Sequence, residues 1–362
     1  FAHAVYRFGH SMLDENVNRY VLHDNFLADG VTPNPLAGTP VMDANGDPVL
    51  NEIGLIAAFL NPLEFNAHGA DAAAEIILGS VNQIGNEIDE FVTGALRNNL
   101  VGLPLDLAAT NIARGRDAGV PTINMLRNQI YTQLNTGGTA NTELKPYASW
   151  NEFGQFLKHI ESLVNFIAAY GTHSTITAEA TLAGKRAAAQ VLLDNSVVGS
   201  AGFAQDAFDF VYSLGAYANN VNDVRAVHDA AGLAPQWSTG SVTGLDQVDL
   251  WIGGLAEKQN LFGGLLGSTF NFIFENQMEA IQDGDRLYYL PRIEGLHFGG
   301  EIENNTFADL IMRNTGTHHL SANIFMTPEY VVEATTYFQR DAAGNFMFTN
   351  LPTECTGGQL IR

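Results

Sequence analysis

"VYRFGHSML", Val5 to Leu13, is the stretch on which the reading of this 362-residue chain turns. It sets Arg7 and His10 three positions apart within an otherwise apolar run. Residues three apart on a helix are near neighbours on one face. Spacing predicts a helix over 1–20, with Phe1, Val5, Phe8 and Leu13 turned inward. Gly9 sits awkwardly there, because glycine inside a helix costs roughly 1 kcal/mol against alanine. A glycine kept at that cost implies that something lies close to the backbone. A flat ligand held by His10, with an acidic edge on Arg7, would explain all three residues. A solvated arginine and a satisfied core histidine would explain two of them.

A second stretch, "LAATNIARGRDAGVPTINMLR" from Leu107 to Arg127, reinforces the first. It places Arg114, Arg116 and Asp117 within four positions of a chain that has only 17 lysines and arginines. Arg116 and Asp117 read as an ion pair closing a helix. Asn111, three before Arg114, falls on the same helical face. An asparagine carbonyl can anchor the second ring nitrogen of a metal-bound histidine, and arginine's fork of donors matches a carboxylate.

Elsewhere the apolar spacing is again helical. One or two helices are expected over 75–98, and others over Leu163–Gly171, Phe203–Ala218 and Phe270–Gln282. Residues 338–350, "FQRDAAGNFMFTN", are the best hairpin candidate, turning near Ala343–Asn345. Gly30–Pro48 reads as a long loop. Its Asp43, Asn45 and Asp47 imitate the start of a calcium loop, but no downstream bidentate glutamate follows, and Asn45-Gly46 is a favoured turn in itself. The fold class is mostly α, with few short strands.

A net charge of -22 repels phosphate backbones and anionic lipid, which argues against nucleic-acid and membrane-surface partners. It suits export into a salty or calcium-containing medium. The single cysteine, Cys355, can form no internal bridge. No apolar run approaches the roughly 20 residues of a membrane-spanning helix.

These stretches resemble the animal-type haem peroxidases. "VYRFGHSML" is similar to that family's proximal-histidine segment, and "TNIARGRDAGVPTIN" to its next block. "DQVDLWIGGLAE" (Asp246–Glu257), "GSTFNFIFENQMEAIQDGDRLYY" (Gly267–Tyr289) and "IMRNTGTHHLSANIFM" (Ile311–Met326) follow in the family's order. Spacing and phrases such as "NFIAAYGTH" look most like large bacterial members. The resemblance implies a haem-peroxidase-like helical domain and an oxidoreductase that uses hydrogen peroxide to oxidise a small organic or halide substrate. It implies haem b, with His10 as proximal iron ligand, Asn111 as the catalytic partner of its other ring nitrogen, and Arg7 and Arg114 on the propionates. Asp249, Trp251, Gly253, Gly254, Gly284, Asp285 and Arg286 would shape the fold.

The family's distal histidine and arginine, and its calcium loop, precede the proximal histidine. Residues 1–362 therefore read as the proximal, C-terminal part of one peroxidase domain. Its partner would be an upstream distal half, and little turnover is expected without it. "GQFLKHI", Gly154–Ile160, imitates the distal wording, but Lys158 and Ile160 replace its two aspartates. The spacing of Phe153, Phe156, Leu157 and Ile160 instead predicts an amphipathic helix with a surface Lys158–His159 pair. His173 is expected to cap a helix C-terminus, and His318 and His319 to be edge residues. Two alternatives accompany the peroxidase reading. One is a haem fatty-acid dioxygenase using a radical on Tyr6, Tyr170, Tyr212, Tyr217, Tyr288 or Tyr289. The other is a non-catalytic surface or adhesion module of the same fold.

Overall fold

The computed structural model describes residues 1–23, 27–37, 39–45, 48–98, 103–135, 144–218, 242–260, 264–315, 317, 320–326, 339–340 and 346–347. Asp47, His318, His319 and Cys355 lie outside them. Helices dominate. The strands among the described residues are four two-residue pieces in two antiparallel pairs, Asn16–Val17 with Ile53–Gly54 and Gln339–Arg340 with Phe346–Met347. The second pair is the expected hairpin, whose turn lies outside the described residues.

Phe1–Leu13, Asn86–Asn98 and Pro104–Arg286 form one compact unit. Three of its helices start where the sequence supplies a cap. Asp106 accepts from the Ala109 amide ahead of Leu107–Asp117, Ser149 from Glu152 ahead of Trp150–Gln155, and Thr181 from Gly184 ahead of Leu182–Asn195. Each such cap stabilises by about 1 kcal/mol. Fully buried Trp150, Phe153, Phe210, Phe270, Ile123 and Leu255 make the core. The helix Leu250–Ala256 is apolar on all sides and buried, as such a helix must be. Gly254 lets it in, since a Cβ there would land on the ring of Phe270, and one on Gly253 would press Val248 and Ile123. Both glycines shape the packing, in line with the sequence reading. Beyond its own helix backbone and chain neighbours, no described atom lies within 4 Å of where a Cβ on Gly284 would stand, so close packing among the described residues does not explain that glycine.

The opening segment is shorter than its spacing suggests. It runs as a 3-10 turn Val5–Phe8 and one α-turn Gly9–Met12. Leu13 then becomes extended (φ -75, ψ 134). Past it, "NVN" carries a β-branched valine between asparagines, poor helix formers, and Asn16–Val17 pairs as a strand. The helix also stops early at Gln155 in the 153–160 stretch. Leu157 bridges Glu257 there, and the Lys158 amide donates to the Ala256 carbonyl (2.8 Å). Ile160 is exposed and joins no apolar face.

Asp14–Gly85, Asn99–Leu103 and Leu287–Arg362 form the second unit. Tyr20, Leu78, Ala308 and Leu320 are its buried cluster, flanked by Leu22, Ile77 and Ile311. A capping box of Thr306 and Asp309 starts the helix Phe307–Asn314. In the long loop, an Asp43 carboxylate oxygen accepts from the Asn45 amide at 2.8 Å, a local turn bond.

Candidate functional site

The segment that carries His10 is held from three sides, all within the first unit. Val5 and Ala4 are buried beneath its segment. The Trp251 indole N–H donates to the Arg7 carbonyl at 3.3 Å. Phe1 and Phe8 pack on Phe274 of the helix Ser268–Gly284, each with ring centroids 5.9 Å apart. Past the turn, Asn86 donates from its backbone to the Met12 carbonyl (3.0 Å) and from its side chain to that of Leu13 (2.9 Å). These ties hold a four-residue α-turn that could not persist alone.

Against this frame Asn111, 1% exposed on the helix Leu107–Asp117, meets the imidazole. Its carboxamide lies 2.8 Å from His10 Nδ1, across 101 positions of chain. The nitrogen end, Nδ2, faces the ring. In that orientation the amide donates and the ring proton sits on Nε2. Turned by 180°, Oδ1 accepts from Nδ1–H and the Nε2 lone pair is free. No other described hydrogen bond holds Asn111 against the turn. Burial, then the Arg7 charge, lowers the His10 pKa from its ordinary 6.5, so the ring is neutral at neutral pH.

The arginines beside this pair are underused. Among the described residues Arg7 reaches only the His3 carbonyl, at 3.5 Å. Arg114, exposed one turn beyond Asn111, has no hydrogen bond or ion pair among the described residues. No heavy atom lies within 4 Å of where a Cβ on Gly9 would stand. The close approach implied by this glycine is therefore not supplied by any described neighbour. An imidazole nitrogen, an open backbone face and two loosely held guanidinium groups are the donor set a planar acidic porphyrin requires, and the residues fit haem.

Arg116 differs from its sequence reading. It pairs with Asp249 rather than Asp117, through two bonds of 2.9 and 2.7 Å. Tyr170 donates to the same carboxylate at 2.7 Å. Arg116 is raised through those bonds, and Tyr170 is raised first by burial and then by the aspartate. Asp249 thus ties the end of the Asn111 helix to the segment carrying Trp251. His173 also differs. It is buried and caps the start of Ser174–Thr177 rather than a helix end, accepting from the Thr175 amide while Nε2 pairs with Asp206 at 2.9 Å. His159 meets Glu87 and Asp89, and none of the residues around His10 is its partner.

The largest omission of the sequence reading is Arg127. With Glu257 it forms an ion pair at 2.9 Å, each side chain 2% exposed. Ser268, Thr269, Tyr147 and the Lys145 carbonyl complete the shell. Neither residue stands out in sequence, because the partners lie 130 positions apart.

The family model described as animal haem peroxidase matches residues 1–181 and 233–325. The chain belongs to the animal haem peroxidase family. Both runs of the match include the residues just described, with Arg7, His10, Asn111 and Arg114 in the first and Asp249 and Trp251 in the second. Over 72% of the chain it is 24% identical to peroxinectin A of Dictyostelium discoideum, of which it covers 34%. Over 22% of the chain it is 35% identical to thyroid peroxidase of Rattus norvegicus, covering 9% of it. Peroxidase A of Dictyostelium discoideum aligns over 89% of this chain and 42% of its own, at 20% identity and a TM-score of 0.48. The fatty acid alpha-dioxygenase of Oryza sativa aligns over 78% and 31%, at 16% identity and a TM-score of 0.38. This animal haem peroxidase chain thus spans about a third of the peroxinectin it matches. Among its described residues no helix is long and apolar enough to cross a membrane.

Proposed function

We propose that the chain holds haem b through His10 Nε2 and forms the proximal side of a hydrogen-peroxide-dependent peroxidase acting on a small organic or halide substrate. The observation that carries this reading is the 2.8 Å contact between His10 Nδ1 and buried Asn111. Nothing in helix packing calls for a neutral, partly buried imidazole set against a single amide. With Oδ1 toward the ring, Asn111 fixes the proton on Nδ1 and makes Nε2 a stronger donor to a metal. The lowered His10 pKa keeps that lone pair unprotonated. Arg7 and Arg114 would pair with the two carboxylates of the porphyrin, and Gly9 keeps side-chain bulk away from the backbone before His10. Bound haem supplies the redox chemistry on peroxide. The turnover reading extends to the whole protein, with a distal half contributing the acid–base groups on the peroxide side and any calcium. Export is proposed with it, on the charge of -22.

The test is a hemin titration of the full chain, read by its ferric absorption spectrum. A five-coordinate histidine-type spectrum is expected, and it should be lost in His10→Ala. An unchanged spectrum in that variant removes His10 as ligand. Peroxide-dependent dye oxidation by the longer protein supports the peroxidase. Oxygen uptake with an unsaturated fatty acid, without dye oxidation, would replace it by the dioxygenase. Neither activity in a haem-loaded protein would leave a binding module.

A further inference from the structure

Residues 87–89 and the end of the "GQFLKHI" stretch build a second polar centre in the first unit. His159 Nε2 stands 3.2 Å from Glu87 Oε2 and 3.2 Å from Asp89 Oδ2. All three atoms lie within 4.8 Å of one another. A tetrahedral ion with bonds of about 2.0–2.1 Å sets its ligands about 3.3 Å apart, so the spacing needs little adjustment.

We propose that Glu87, Asp89 and His159 bind a divalent transition-metal ion of the zinc class. Each carboxylate has one oxygen engaged locally and turns the other toward His159. Asp89 Oδ1 accepts from the Phe91 amide at 2.8 Å, leaving Oδ2 toward the ring. Glu87 Oε1 pairs with Lys158 Nζ at 3.4 Å, and that ammonium is fixed on the Ile88 carbonyl at 3.0 Å. The Phe91 ring packs edge-on against His159, with centroids 5.6 Å apart, and fixes its plane. One imidazole with two carboxylates suits zinc, cobalt or manganese; calcium takes six to eight oxygens.

A dication held by these three side chains would keep water or an outside ligand on its fourth position.

The experiment uses the full chain, stripped with chelator and titrated with zinc chloride by calorimetry, with cobalt chloride as the spectroscopic probe. One equivalent of zinc and tetrahedral-type visible bands of cobalt are expected. His159→Gln should weaken binding by more than the ten- to hundredfold typical of groups behind a ligand. Glu87→Gln, at a side chain 58% exposed and so safe for folding, should weaken it about tenfold or more. His10→Ala should leave it unchanged, separating this centre from the haem reading. Equal affinity in His159→Gln and the unaltered chain would overturn the site. So would no binding below millimolar zinc, which would reduce the trio to an ion-pair clasp.

Discussion

Two polar centres of the first unit make an instructive contrast. Arg127 and Glu257 are buried, and their bonds are shared among Tyr147, Ser268, Thr269 and a backbone carbonyl. His10, partly buried, has one hydrogen-bond partner among the described residues, and Arg7 close to it and Arg114 one turn beyond Asn111 bind almost nothing there. The first spends its bonding capacity on the fold. The second keeps capacity in reserve, and reserve is what a ligand uses. If the proposed function holds, saturation separates these two centres better than burial alone.

The largest expected effect falls on the saturated centre. Arg127→Met leaves Glu257 buried without its cation and should cost about 3–5 kcal/mol in denaturant unfolding. A loss under about 1 kcal/mol would show that Glu257 is held by its hydroxyl partners alone. At the reserved centre the ranking reverses. Asn111→Leu should weaken hemin binding about ten- to hundredfold, measured by titration, while His10→Ala abolishes the histidine-type spectrum. Unaltered affinity in Asn111→Leu would reduce the amide to packing.

Gly254→Ala tests the frame between them. Its new methyl meets the Phe270 ring, and overpacking of this kind costs about 1–3 kcal/mol. Arg114→Ala is the smallest change. Stability should move by less than about 0.5 kcal/mol, while hemin affinity falls about two- to fivefold, the scale of an exposed ion pair. The pH response sharpens the same contrast. The folded His10 pKa lies below the unfolded value of about 6.5. Its share of stability is therefore complete above that value and is lost as pH falls through the lowered pKa. Hemin affinity should follow the same course, because a proton on Nε2 displaces the metal.

The expected helices at 163–171, 203–218 and 270–282 were legible because their apolar spacing survives burial on one face. Leu163–Tyr170, Gln205–Tyr212 and Ser268–Gly284 are the result. The helix beginning at Phe1 was overextended because spacing carries no sign of a strand partner; Asn16–Val17 answers to Ile53–Gly54, well downstream. His10 and Asn111 could be paired beforehand through family likeness alone, since a contact over 101 residues leaves no local trace. The same limit hid Arg127 with Glu257, Arg116 with Asp249, and the trio around His159. A pattern of neighbours along the chain reveals elements; only folding reveals which distant side chains complete each other.

That long separation has a consequence for biosynthesis. The imidazole leaves the ribosome about a hundred residues before the amide that orients it, and in the interval it is an unguided base open to any passing metal. On the proposed function, haem could be held in this way only once the Leu107–Asp117 helix has docked, so pigment uptake would follow the synthesis of that helix.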